Sequence, residues 1–380
     1  MKVKMTFPLL SVGVLVLTSC SGPKAYSSHL EDYVYRMRYH DGFNILQLTD
    51  IHWNNNTSSL ANEIYLDKLF AEVDAHLKAT QGADAKIDLV ELTGDQFMLA
   101  NAYHVDTFVD YFEKQSHAYQ FKYAVIWGNH DNHGLYNPNW LSRKFKSATN
   151  AIYFDEDDDL YGRSNFVIDL TSDGSSDTSV IWQIANLDSG ASFSETAVSP
   201  FRDYDYIRKD QVDWWLKEHD RAGESVPSIA YYHIPQDENR KAWEEHEKGG
   251  LFKSKFFKLE EFADNGNDEY ASDFIDVAKE NNLKGAFMGH AHNVDWTYEL
   301  DGVVIGLGVK TGPELYYAHI DPETDDKAMK EGLESVGINE KFDLIGASLV
   351  TLKNDEGTFD LEHLYFNERA SGDFAKWVKW

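Results

Sequence analysis

The chain has 380 residues, with 64 Asp and Glu against 35 Lys and Arg, a formal charge of −29 and a hydrophobic share of 42%. That apolar content excludes a disordered polymer, and the charge argues against a nucleic-acid-binding surface, which would be basic. A nucleotide-sized substrate stays open, because bound cations can invert a local field.

The first segment in chain order is an N-terminal leader. Lys2 and Lys4 precede a short apolar run that includes Val12 to Leu17. The run is too short to span a bilayer comfortably and has the pattern of a secretory signal. It ends Leu17-Thr18-Ser19-Cys20, which resembles the bacterial lipobox. That resemblance implies acylation of Cys20 and an extracytoplasmic protein, lipid-anchored to a bacterial membrane. Cys20 is the single cysteine of the sequence. An intrachain disulfide and a zinc–thiolate site are therefore excluded. The expected organisation is a signal peptide over 1–20, a tether over 21–34 and one folded domain over 35–370.

Five strand-like runs follow, and each stops at a polar residue. Phe43 to Leu48 stops at Thr49-Asp50-Ile51-His52. Ile87 to Leu92 stops at Thr93-Gly94-Asp95. Tyr123 to Trp127 stops at Gly128-Asn129-His130-Asp131. Ser228 to Tyr232 stops at His233, and Leu283 to Met288 stops at Gly289-His290-Ala291-His292. Several runs are almost continuously apolar, as suits strands buried on both faces.

Between them the spacing predicts helices. Leu66, Leu69, Phe70, Val73 and Leu77 fall on one helical stripe, as do Val105, Phe108, Val109 and Phe112. Asp210 to His219 and Ser272 to Lys279 read as further helices, with Trp214 and Trp215 as packing residues. His76, His104, His117 and His219 lie in helical stretches and are expected to be solvated. Alternating strands and helices define an α/β class, in which ligands bind beyond the carboxyl ends of the strands. Five polar strand ends are thus expected to converge on one rim.

Four histidines, two aspartates and one asparagine suit first-row divalent metals. Seven side chains are too many for one tetrahedral ion and fit two ions that share a ligand. Two ions roughly 3.5–4 Å apart can clamp a phosphate and form a hydroxide between them. Asp95 is the favoured bridge, because it follows a glycine at the end of a central strand.

Asp50-x-His52, Gly94-Asp95, Gly128-Asn129-His130-Asp131, His233 and Gly289-His290-x-His292 together resemble the calcineurin-like metallophosphoesterase superfamily, in the family's order. The resemblance implies a four-layer α/β/β/α sandwich of two mixed sheets. It implies that Asp50, His52, Asp95 and His292 bind a first metal, and that Asp95, Asn129, His233 and His290 bind a second. Both ions would be divalent or trivalent, of the Mn, Fe, Zn or Ni kind. His130 would hold no metal; it would contact the phosphate and help protonate the leaving oxygen, work suited to imidazole near neutrality. The implied reaction is hydrolysis of a small phosphorylated substrate by a metal-activated hydroxide. A monoester is slightly preferred over a diester or nucleotide. The competing reading is a surface binding protein without catalysis, and no long nucleic acid is expected as a partner.

Two departures narrow the branch. Purple acid phosphatases carry a tyrosine ligand three residues after the bridging aspartate, and serine/threonine phosphatases place an aspartate there to orient the histidine. Here that position is Met98. Asp131 then becomes the candidate to assist His130. Ala185-Asn186-Leu187-Asp188-Ser189-Gly190 and Tyr231-Tyr232-His233-Ile234-Pro235 look similar to purple acid phosphatase relatives that lack the tyrosine. His133 reads as a surface-loop histidine, while Tyr136, Trp140, Arg163 and Asn165 are open between pocket and core roles. The acidic run Asp155 to Asp159 reads as solvated surface. After His292, the runs Trp296 to Leu300, Val303 to Leu307 and Ile345 to Leu352 read as strands of the second sheet, with Asp301-Gly302 as a hairpin turn. Asp321 to Glu340 reads as a charged surface loop or short helix.

Overall fold

The fold is described from a computed structural model, for residues 33–53, 57–98, 100–131, 138–155, 160–191, 204–247, 254–258, 272–313, 315, 319–320, 342–353, 357–367 and 374–379. Cys20 and the leader, most of the tether, positions 156–159, His133, Tyr136 and 321–340 lie outside the described residues.

Two mixed sheets stack face to face. The seven-stranded sheet runs in the order Phe374–Lys379, Phe359–Asn367, Gly346–Leu352, Phe43–Leu48, Leu89–Thr93, Lys122–Ile126 and Ala151–Ile152. The eight-stranded sheet runs Val34–Arg38, Phe166–Thr171, Val180–Asn186, Ser228–Tyr231, Leu283–Met288, Val303–Leu307, Asp295–Leu300 and Ser254–Lys258. Three parallel strands at the centre of the first sheet deliver Asp50, Asp95 and Asn129. Two parallel strands of the other deliver His233 and His290.

Side-chain alternation explains the layering. Leu46, Leu48, Val90 and Leu92 turn outward onto the helices Thr57–Gln81, Ala102–Tyr119 and Pro138–Ser147. Ile45, Leu89, Ile184, Ile229 and Phe287 turn inward and fill the space between the sheets. Ala286 and Met288 turn to the far face, against Trp215 of the helix Lys209–Ala222 and Phe274 of the short helix Phe274–Ala278. The result is the α/β/β/α sandwich that the motifs implied. The predicted stripe Leu66, Leu69, Phe70, Val73 and Leu77 is wholly buried. Each such side chain contributes about 1.5–3 kcal/mol by transfer from water. No helix among the described residues is long and apolar enough to cross a membrane.

The five motif strand ends meet at one rim, three from one sheet and two from the other, so the rim is the seam between them. Three expectations change. Gly346–Leu352 pairs antiparallel with Phe43–Leu48, in the sheet of the first motif rather than the second. The strand Phe374–Lys379, past the expected domain limit at 370, pairs with Phe359–Asn367. Finally, His219 is fully buried, with Nε2 2.9 Å from the Val226 carbonyl oxygen, because it continues the stripe of Val212 and Trp215. His104 is also buried, and its backbone N–H donates to the helix-capping Asn101 side chain. His76 stacks on Trp377 at 3.8 Å, whereas His117 is exposed as expected.

Candidate metal centre

The strand ends turn sharply at the seam. Asp50, His52, Asp95 and His290 all sit at positive φ, at 53°, 50°, 53° and 76°. Non-glycine residues rarely adopt this region, and such strain concentrates at functional sites. The turns are held by bonds that cross between motifs. Asp50 N donates to the Gly94 carbonyl and His52 N to that of Asp95, both at 3.0 Å. Gly94 and Gly128 permit the close approach: a methyl group on Gly94 would collide with the His233 ring, and one on Gly128 with the Asp95 carboxylate.

Asp50, His52, Asp95 and His292 each bring one ligand atom to within 4.8 Å of the others, and all four are buried. His52 Nε2 lies 2.9 Å from His292 Nε2, and His292 Nε2 lies 3.1 Å from Asp50 Oδ1. On the other side, Asn129 Oδ1 lies 3.1 Å from His233 Nε2 and 3.0 Å from His290 Nδ1. Two atoms bound to one ion at about 2.1 Å and at right angles are about 3 Å apart, so these spacings are those of neighbouring ligands. Asp95 joins the two groups: Oδ2 is 3.8 Å from His52 Nε2, and Oδ1 is 3.5 Å from His233 Nε2.

The charge states suit cation binding. Burial works against the charged forms of Asp50 and Asp95, yet the surrounding imidazoles hold both below the usual carboxylate range. Burial pushes His52 well down, helped by the Lys310 charge, and pushes His290 down to about 3, helped by His233. Both rings therefore keep a free lone pair at neutral pH. Burial also opposes protonation of His233, but Asp95 outweighs it and carries the ring to about 9. A cation at Asp95 would displace that proton, as ligation of imidazole requires. His233 Nδ1, 2.9 Å from the Thr93 carbonyl oxygen, leaves Nε2 directed at the site. Donor set, burial and spacing all fit divalent metal ions.

The structure thus brings all seven expected ligands together and sets His130 beside them. The His130 backbone N–H donates to Asp95 Oδ1 at 2.8 Å, and its half-buried ring lies edge-on to His52 at 5.4 Å. Asp131, expected to assist His130, braces the loop. It is buried, with Oδ1 accepting from Phe97 N at 2.9 Å and Oδ2 from Gly128 N at 2.8 Å. Both oxygens thereby fix the turn that carries Asn129 and His130. Asn165 is likewise a brace, accepting from Asp188 N and from the Gln211 amide. Ser189 Oγ accepts from Ile234 N and steadies the residue after His233.

Two contacts had no place in the sequence reading. Buried Lys310 donates from Nζ to the Asp50 carbonyl at 2.6 Å and supports the strained turn. A signal existed: a lysine follows the apolar run Val303 to Val309 at a strand end. Tyr204 packs its ring edge-on against His290 at 4.3 Å, and no pattern in the sequence marks it.

A seam between two mixed sheets, lined with buried carboxylates and imidazoles, defines a metal-binding site in an α/β sandwich. The sequence profile of the calcineurin-like phosphoesterase family matches residues 43–294, more than half of the chain. The chain belongs to that family and is a metal-dependent hydrolase. No curated protein matches the sequence.

Proposed function

We propose that the protein is a two-metal phosphoric ester hydrolase that acts on small phosphomonoesters. The observation that carries this reading is Asp95, whose two oxygens face separate groups of donors. Asp50, His52 and His292 would complete one metal site, and Asn129, His233 and His290 the other. Ions bound there would neutralise charge on the phosphoryl oxygens and lower the pKa of a water molecule. The chain's own residues do the rest. Asp50 and Asp95 anchor the site in the ionised form. Thr93 and Lys310 hold His233 and the Asp50 turn in place. His130 stands at the edge of the donors, within the site but outside both groups, where an imidazole can contact the phosphate and protonate the leaving oxygen. The charge of −29 disfavours a long polyanionic substrate.

Chelation followed by reconstitution tests this reading. Phosphomonoester turnover is expected to vanish on chelation and to return as metal content climbs towards two ions per chain. Full activity at one ion per chain would overturn the two-metal assignment. Faster cleavage of diesters than of monoesters would overturn the substrate assignment alone.

We also propose that the protein is lipid-anchored through Cys20 on the outer side of a bacterial membrane; the leader pattern and the lone cysteine support this. Cys20→Ser should move the protein from the membrane fraction to the soluble one. Unchanged membrane association would sink the proposal.

A further inference from the structure

The strands that carry metal ligands at one end close a cavity of about 470 Å³ at the other. Phe43 begins the strand leading to Asp50, Asp88 precedes the strand leading to Asp95, and Lys122 begins the strand leading to Asn129. At about 3.3 Å per residue, the cavity lies roughly 20 Å from the metal donors. It is too far away to be part of the substrate site.

Its charge is opposite to that of the chain. Arg38, His40, Lys86, His117 and Lys122 line it, against the single acid Asp88. Over the whole sequence, Asp and Glu outnumber Lys and Arg by 64 to 35. Asp88 is already engaged, with Oδ1 3.0 Å from His40 Nε2 and Oδ2 accepting from Asn44 N at 2.9 Å. The two lysines are held by neutral acceptors. Lys86 Nζ donates to the Gln120 carbonyl at 3.1 Å; Lys122 Nζ donates to the Thr149 carbonyl at 3.2 Å and to Asn150 Oδ1 at 2.8 Å. Such bonds aim an ammonium without cancelling its charge, and each ammonium has three protons to give.

Glu113 is the carboxylate that acts on Lys122, but its oxygens also accept from Tyr123 and from the Asn150 amides. Burial pushes the Lys122 amine below its usual range, as expected of a cation that has lost water without a full counter-charge. Arg38 is exposed at the rim. A guanidinium and two ammonium groups around one concavity suit an anion with several oxygens better than a single carboxylate. The volume lies in the range of small-molecule sites, with space for a group attached to that anion.

We propose that this cavity is a second, metal-independent binding site for a phosphate group, borne either by a small soluble molecule or by an anionic lipid headgroup. Because the site needs no metal, its failure would leave the reading of the metal centre intact, and the reverse also holds.

The test is calorimetric titration of the full chain with inorganic phosphate, metal-loaded and again after chelation, with circular dichroism reporting that the fold persists. A phosphate site that survives chelation is expected. Lys86→Gln should weaken it about tenfold, the effect of losing one charge-assisted bond. Arg38→Glu, at an exposed position that does not threaten folding, should weaken it at least as much. Both variants should leave hydrolysis unchanged. In the metal-loaded chain, the same variants should weaken one phosphate site and leave the other unchanged.

Phosphatidylglycerol and phosphatidylcholine vesicles distinguish the two sources. A preference for phosphatidylglycerol that Arg38→Glu abolishes would assign the site to a headgroup. No such preference, with phosphate binding weakened in the variants, would assign it to a soluble ligand. Absence of both phosphate and vesicle binding, or binding indifferent to Arg38 and Lys86, would overturn the proposal.

Discussion

Asp95→Asn is expected to empty both metal sites and to lower phosphoester turnover by about three orders of magnitude or more. The substitution is chosen for its backbone. Asp95 sits at φ 53°, a region that asparagine tolerates better than other non-glycine residues. Alanine would add a conformational cost of about 1–2 kcal/mol and confuse the result. The asparagine oxygen can still accept from the His130 amide, as Asp95 Oδ1 now does at 2.8 Å, so the loop need not move. What is lost is the negative charge and the second anionic oxygen. Those oxygens lie 3.8 Å from His52 Nε2 and 3.5 Å from His233 Nε2, one toward each group of donors. Neither Asp50 nor Asn129 can replace them, because Asp50 serves one group and Asn129 carries no charge. Metal analysis of the purified variant, paired with turnover, decides the point. Two ions retained with near-normal activity would remove Asp95 from its bridging role. Loss of one ion alone would assign it to a single site.

The candidate ligands were legible in the sequence because each motif sits where an apolar run breaks off, and strand ends are where α/β proteins place polar groups. The sheet assignment was less legible, for a physical reason. Phe43–Leu48 is buried at every position, so its side chains carry no alternation that would say which neighbour it takes. Its partner Gly346–Leu352 is about 300 residues away and equally buried, and no local pattern links the two. Residue type also misled. His219 shares a helical stripe with Val212 and Trp215, at spacings of seven and four, yet histidine in a helix reads as surface. Lys310 drew no reading from the sequence, yet it serves the site. A lysine at a strand end suggests solvent, whereas its ammonium supports the Asp50 turn from 260 residues away. Asp131 shows the converse. Its position beside His130 suggested catalysis, and geometry adds a bracing role that sequence does not show, because two backbone amides donate to its oxygens.

His130→Ala is expected to keep both metals while lowering kcat by about 10²–10⁴-fold, the usual yield of a general acid. The two effects separate because His130 touches Asp95 through its backbone N–H, which alanine retains. The neighbouring turn is braced by Asp131, through Gly128 N and Phe97 N, and does not depend on the imidazole. The ring itself lies edge-on to His52, at 5.4 Å. A packing role alone would predict a loss of similar size for every substrate. A proton donor predicts something else: a small loss with nitrophenyl phosphate, whose leaving oxygen scarcely needs a proton, and a large one with an alkyl phosphate, whose leaving oxygen does. Comparing kcat for the two substrates in wild type and variant therefore isolates proton transfer from positioning. An equal loss on both would reduce His130 to a phosphate contact. Loss of a metal ion in the variant would make its ring a ligand and would break the division of labour between the donors of the two groups and the histidine beside them.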